Sequence, residues 1–219
     1  MIGEMAAGLA HEMRNPLASI TGSIQLMAQT PDLDETDKRL MQIILRGKDR
    51  LESFVRDFLL LARPVPEARQ SIRLNDVAEE VVESVKMSAD WTEDIRLEKK
   101  ISGENLALAN EEQIRQILQN LLTNALQSMD GKGQIGLEIR TVRLEDEKEY
   151  AEIKVTDDGC GIEEKDQKKI FEPFFTNKER GTGLGLAIVN RIVDGYRGRI
   201  AIQSAVHEGT TITVWLPCR

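Results

Sequence analysis

His11, Glu12 and Asn15 are the first residues of this 219-residue sequence whose types and spacing could do chemistry. His11 is one of two histidines and lies among Leu9, Ala10, Met13, Leu17 and Ile20, whose three-to-four spacing predicts one face of an amphipathic helix. Glu12 follows it directly and Asn15 lies four residues on, so both fall near the ring. An imidazole titrates near neutrality and offers an unprotonated nitrogen as a nucleophile. Taken alone, the same residues also describe a solvated histidine–glutamate pair on a helix surface. Pro16 removes a backbone donor and is expected to bend or loosen the helix just past the histidine.

Four stretches of the C-terminal half complete the chemistry. Asn120 and Asn124 stand four apart on one helix face, and their carbonyl oxygens are hard neutral ligands suited to Mg²⁺, an ion held by few protein groups plus substrate phosphates. Asp157-Asp158-Gly159-Cys160-Gly161-Ile162 follows a strand, where Gly159 and Gly161 permit a tight turn against a flat ligand and a buried Asp157 can accept from an exocyclic amine. Phe171 to Phe175 holds three of the five phenylalanines and by itself reads as a hydrophobic plug. Gly181-Thr182-Gly183-Leu184-Gly185-Leu186 leads into a helix whose first N–H groups can cradle phosphates. Each stretch alone is weak, and their order and combination are specific.

The elements that position these residues follow from periodicity. Residues 2–29 and about 36–62 are predicted as helices joined by a turn at Thr30-Pro31-Asp32-Leu33-Asp34-Glu35. On the second arm Leu40, Ile43, Ile44, Leu51, Phe54, Val55, Phe58 and Leu59 form an apolar stripe too wide for one partner helix. Two hairpins pairing as a four-helix bundle in a homodimer would bury it; cover by the following domain within a monomer is the alternative. Arg63-Pro64-Val65-Pro66 stops the second helix. The expected domains are therefore a helical hairpin at 1–63, a linker at 64–71 and an α+β sandwich at 72–219. Within the last, helices are expected at Asn75 to Ser88, Glu111 to Met129 and near 183–196, with strands at Ile95 to Ile101, Leu106 to Ala109, Gln134 to Leu144, Glu149 to Thr156, and near 198–205 and 209–216. Antiparallel hairpins with helices gathered on one face are the expected architecture.

Composition narrows the function. A hydrophobic fraction of 41% supports a real core, and 37 acids against 29 bases, with no basic block, argue against nucleic acid as a partner. Cys160 and Cys218 lack metal-ligand spacing and are too few for a disulfide framework, so reducing cytoplasm is the expected compartment. No apolar run of about 18 residues is present, so a membrane anchor is expected only upstream of the opening helix, already in progress at residue 2. His207, Trp91, Trp215 and the seven methionines read as surface or packing residues.

With these residues in hand, the chain resembles the transmitter core of bacterial two-component sensor histidine kinases, nearest in flavour to nitrogen- and pilus-regulation sensors. His11 to Leu17 resembles the H box, Asn120 to Asn124 the N box, Asp157-x-Gly159-x-Gly161 the G1 box, Phe171 to Phe175 the F box and Gly181 to Gly185 the G2 box. The resemblance implies a dimerisation and histidine-phosphotransfer hairpin followed by an ATP-binding sandwich of the Hsp90, gyrase and MutL kind.

The resemblance also implies residue roles. His11 takes the γ-phosphoryl group of ATP and Glu12 serves the other ring nitrogen as base. Asp157 accepts from the adenine amine, Asn124 binds Mg²⁺ and Asn120 lies close to the metal and phosphates. Gly159, Gly161 and Phe175 belong to the nucleotide site, and Gly181, Thr182, Gly183, Leu184 and Gly185 to the phosphate loop and lid hinge. Lys178 and Arg180 are the nearest cations to offset phosphate charge, or else solvated lid charges. Asn120 replaces the water-activating Glu of the related ATPases, so phosphate is expected on His11 rather than in water. Asn15 implies a second activity, dephosphorylation of a response regulator, whose receiver domain is the expected partner. Two alternatives are a superfamily switch or serine-directed kinase without a histidine phosphorelay, and a dimerisation scaffold that binds no ATP.

Overall fold

The structure, a computed structural model, describes residues 16–28, 33–62, 70–178 and 181–218. It separates into two compact units, Met1–Pro64 and Val65–Arg219. In the first, residues 16–27 form helix α1, and Glu35–Ala62 forms α2. Asp34 starts α2 by accepting the Asp37 N–H at 2.7 Å, which satisfies one of the donors that a helix start leaves open. Leu17, Ile24, Met41, Val55 and Leu59 are buried, whereas Leu40, Ile43, Ile44, Leu51 and Phe58 of the expected stripe remain exposed in the single chain. Among the described residues no helix is long and apolar enough to cross a membrane.

The second unit runs β1 (Gln70–Arg73), α3 (Leu74–Lys86), β2 (Ile95–Ile101), β3 (Leu106–Ala109), α4 (Glu111–Ser128), β4 (Gly133–Arg143), β5 (Glu149–Asp157), α5 (Gly185–Gly195), β6 (Arg199–Ala205) and β7 (Gly209–Pro217). Its main sheet has the order β2-β4-β5-β7-β6, and β1 pairs with β3 in a separate antiparallel ribbon. Two features differ from the sequence expectation. Gln70 and Ser71, assigned to the linker, already pair in β1, a four-residue strand with Ile72 as its one buried residue and so too short to show alternation. The β2–β4 pair is parallel rather than part of an antiparallel hairpin, because β3 and α4 form the crossover between the two strands.

The core lies between the helices and one sheet face. Ile135, Leu137 and Ile139 of β4 alternate inward with Ala151, Ile153 and Val155 of β5 and Ile212, Val214 and Leu216 of β7. Opposite them α4 presents Ile114, Ile117, Leu118, Leu121, Leu122, Ala125 and Leu126 at helical spacing. Asn110 caps α4 by accepting the Gln113 N–H at 3.3 Å. The buried Asn105 ties the β2–β3 turn inward: its Nδ2 donates to Asn75 Oδ1 at 3.0 Å, and its Oδ1 accepts from Thr141 Oγ1 at 3.3 Å.

In the helical unit, burial pushes the Asp57 carboxyl up from its ordinary 3.8 to about 6, partly opposed by the Arg56 charge. A raised acid prefers its protonated form in the folded state. The linked stability is therefore present below about pH 3.8 and lost as the pH rises through about 6. Asp57→Asn should raise the melting temperature of the helical unit, followed by circular dichroism, more at pH 7 than at pH 4. Equal shifts at the two pH values would contradict the assignment.

Candidate nucleotide site

The C-terminal turn of α4 meets the exit of β5 through one serine. Ser128 Oγ lies 2.8 Å from Asp157 Oδ1 and 2.7 Å from the Ala125 carbonyl, while the Ser128 carbonyl accepts the Cys160 N–H at 3.0 Å. Asp157 is buried, and its Oδ1 also accepts the Gly159 N–H at 2.9 Å. Burial raises the Asp157 carboxyl above its usual range; the Ser128 hydroxyl, the Gly159 N–H, the Lys178 charge and the Thr210 backbone act the other way. Neighbouring Asp158 turns aside, accepting the Gln134 N–H at 2.8 Å.

Glycines make this approach possible. A Cβ on Gly159 would fall 2.1 Å from Ser128 Oγ. Gly161 has φ +70°, and a Cβ there would fall 1.9 Å from the Ala205 carbonyl oxygen, since the loop lies directly on the β6–β7 turn. The Cys160 carbonyl accepts the His207 N–H at 2.8 Å, and Ser204 Oγ accepts the Ile162 N–H at 2.8 Å, fixing the loop to that turn.

One and two turns before Ser128, Asn124 and Asn120 face the start of α5. A Cβ on Gly185 would lie 3.0 Å from Asn120 Oδ1 and 3.8 Å from Asn124 Nδ2. Among the described residues neither side-chain amide is used in a hydrogen bond, and no three His, Cys, Asp or Glu residues gather as a metal site. Open neutral amides beside a helix start, Asn120 by its oxygen, without a carboxylate cage, fit a hard cation held mainly through phosphates.

The segment before α5 closes on itself. The Phe174 N–H donates to the Gly183 carbonyl at 2.9 Å, and a Cβ on Gly183, at φ +68°, would fall 2.6 Å from the Phe174 carbonyl carbon. Phe174 itself adopts φ 69° and is exposed, and Phe175 is half-buried, so this stretch is not the simple plug its composition describes. The Thr182 hydroxyl accepts the Leu184 N–H at 3.4 Å, the Leu184 carbonyl accepts the Ile188 N–H at 2.9 Å, and the residue as a whole is buried. The Gly181 N–H donates to the Lys178 carbonyl at 3.2 Å. Lys178 Nζ donates to the Asn124 carbonyl at 3.2 Å, and burial pulls its ammonium below the usual range against the pull of Cys160 and Asp157.

The structure thus brings Asn120, Asn124, Asp157, Gly159, Gly161, Lys178 and Gly181 to Gly185 to one end of the second unit. His11, Glu12, Asn15 and Arg180 lie outside the described residues. The sequence reading missed Ser128. Its position on the face was legible, because Ser128 extends the Asn120–Asn124 stripe by one more turn of the same helix, but its role depends on the distant Asp157.

Residues 1–67 match the His Kinase A (phospho-acceptor) domain, and residues 109–219 match the histidine kinase-, DNA gyrase B- and HSP90-like ATPase. The chain is 36% identical over 219 residues to the signal transduction histidine-protein kinase AtoS of Escherichia coli (strain K12), covering 99% of this chain and 35% of AtoS. It is 36% identical over 218 residues to sporulation kinase D of Bacillus subtilis (strain 168), covering 99% of this chain and 42% of that kinase. The chain therefore spans less than half the length of these curated relatives. Among solved structures, full-length ShkA in complex with AMPPNP matches with a TM-score of 0.80 at 26% identity, covering 99% of this chain and 46% of ShkA. Histidine kinase ThkA in complex with the response regulator protein TrrA matches with a TM-score of 0.66 at 28% identity, covering 100% of this chain and 62% of that one.

Gly161→Ala should cost at least about 2 kcal/mol, combining a disfavoured left-handed backbone with a collision against Ala205. Denaturant unfolding checks this, and an unchanged midpoint would contradict the packing described here.

Proposed function

The chain belongs to the sensor histidine kinase family, and from that premise we propose that it transfers the γ-phosphoryl group of ATP to His11 and thence to an aspartate on a response regulator. The observation that carries this proposal is the site at the α4–β5 junction. It combines a buried carboxylate with fixed donors at Asp157, two open amides at Asn120 and Asn124, and a glycine-rich helix start at Gly185. Asp157 accepts from the adenine amine, and the backbone from Gly181 to Gly185 follows the phosphates. Asn124, with Asn120 beside it, would hold Mg²⁺, which when bound neutralises phosphate charge.

In the transfer step a ring nitrogen of His11 attacks the γ-phosphorus, and the bond from that phosphorus to the β–γ bridging oxygen breaks to release ADP. Glu12 holds the proton on the other ring nitrogen or takes it as the new N–P bond forms. Phosphoryl transfer depends chiefly on positioning and charge neutralisation, which suits a chain that places acceptor and donor sites in separate units. The solved neighbours support the two ligands: ShkA was solved with AMPPNP, and ThkA with a response regulator. The phospho-acceptor match over residues 1–67 favours a histidine phosphorelay over a serine-directed relative or an ATP-binding switch. Leu40, Ile43, Ile44, Leu51 and Phe58, exposed on α2, support a homodimer through the hairpins, and the phospho-acceptor and ATPase matches support the cytoplasm as the place of work. Asn15, four residues past His11, would orient water for dephosphorylation of the regulator.

Incubation with γ-labelled ATP and Mg²⁺ tests the main reaction. Wild type should gain acid-labile label, His11→Gln should gain none, and Asn124→Ala should lose at least about 90% of it, since one misplaced phosphate contact commonly costs a factor of ten or more. Label surviving His11→Gln would overturn the acceptor assignment.

A further inference from the structure

We propose that Ser128 is a positioning residue of the nucleotide site and that it selects purines carrying an exocyclic amine over 6-oxo purines. The inference rests on the role given above to Asp157 as base acceptor. A serine hydroxyl has a single proton, and here two oxygens compete for it: the Ala125 carbonyl at 2.7 Å and Asp157 Oδ1 at 2.8 Å. When Asp157 is ionised, two proton-free oxygens at that separation would repel, so the hydroxyl must turn its proton to Asp157. When Asp157 is protonated, the carboxyl donates to Ser128 Oγ instead, and the hydroxyl swings back to Ala125. The rotor is thereby tied to the charge of the carboxyl.

This linkage also decides which oxygen a base can use. Ser128 and the Gly159 N–H fill the two lone pairs of Oδ1, leaving Oδ2 to meet an incoming donor. An ionised Asp157 can only accept, which suits a 6-amine and opposes a 6-oxo group. A protonated Asp157 could donate to that oxo group and would lose the discrimination. Ser128 donates only to the ionised form and so favours it, in the same sense as the Gly159 N–H, the Thr210 backbone and Lys178, the charged side chain that acts on this carboxyl. Burial works against all of them. Removal of the Ser128 donor therefore shifts the carboxyl further toward its protonated form.

Ser128 does not act through its side chain alone, because its carbonyl anchors the Cys160 N–H. Ser128→Ala keeps that anchor and removes only the hydroxyl. Calorimetric titration of the 219-residue chain with ADP and with GDP, from pH 5 to pH 8, separates the two contributions. The variant should bind ADP about five- to tenfold more weakly at pH 7, the loss expected for one hydrogen bond to a charged group. Its ADP-to-GDP preference should narrow, and its loss of ADP binding on acidification should begin at a higher pH than in wild type. Unchanged affinity and an unchanged acid limb would overturn the inference, as would equal weakening for ADP and GDP with no shift in that limb. Wild type that binds no ADP would overturn the nucleotide site itself, whereas ADP binding indifferent to Ser128→Ala overturns this inference alone.

Discussion

The clamp between the last turn of α4 and the exit of β5 is the constraint on which the site depends. Ser128 makes it twice, by its hydroxyl to Asp157 and by its carbonyl to Cys160. Because α4 also carries Asn120 and Asn124, the clamp sets the distance between the group that would read the base and the amides that would meet the phosphates. α4 can serve as that ruler because its other face, from Ile114 to Leu126, is locked into the sheet by close-packed side chains. The glycines follow from the same constraint. Gly159 must have no Cβ because Ser128 occupies its place, and Gly161 none because the Ala205 carbonyl does.

Much of this was legible in the sequence. The long helix at Glu111, its two amides, the turn after β5 and the glycines leading into α5 each carried a local signal, either a period or a residue type that backbone geometry demands. The rest depended on long-range pairing. β1 has too few residues to alternate, and the parallel β2–β4 register depends on a crossover that no local pattern encodes. Ser128 was missed for a different reason. A serine near a helix end reads as a generic terminus, and its hydroxyl gains meaning only when a carboxylate 29 residues away arrives beside it. Leu184 is the reverse case, since its place in a glycine-rich motif implied ligand contact and the fold uses its side chain as core.

The surfaces of the two units differ. The second unit hides most of its large apolar side chains between helices and sheet, with Met87, Phe174 and Val206 exposed at separate places, whereas α2 leaves five large apolar residues exposed along its length. A lone hairpin with such a face is incomplete, and a second hairpin of the same kind is the economical cover. Membership of the sensor histidine kinases ties the two halves together. A donor site in one unit has use for an acceptor in the other, and neither half explains the chain without its neighbour.

The central claim is that the buried carboxylate at the end of β5 reads the nucleotide base. Calorimetric titration of ADP into wild type and Asp157→Asn tests it most directly, because the substitution keeps the side-chain shape and removes the charge. The account predicts saturable one-site binding by wild type and at least about a tenfold loss in Asp157→Asn, the scale of a hydrogen bond to a charged acceptor. Equal ADP affinity in the two proteins would contradict it.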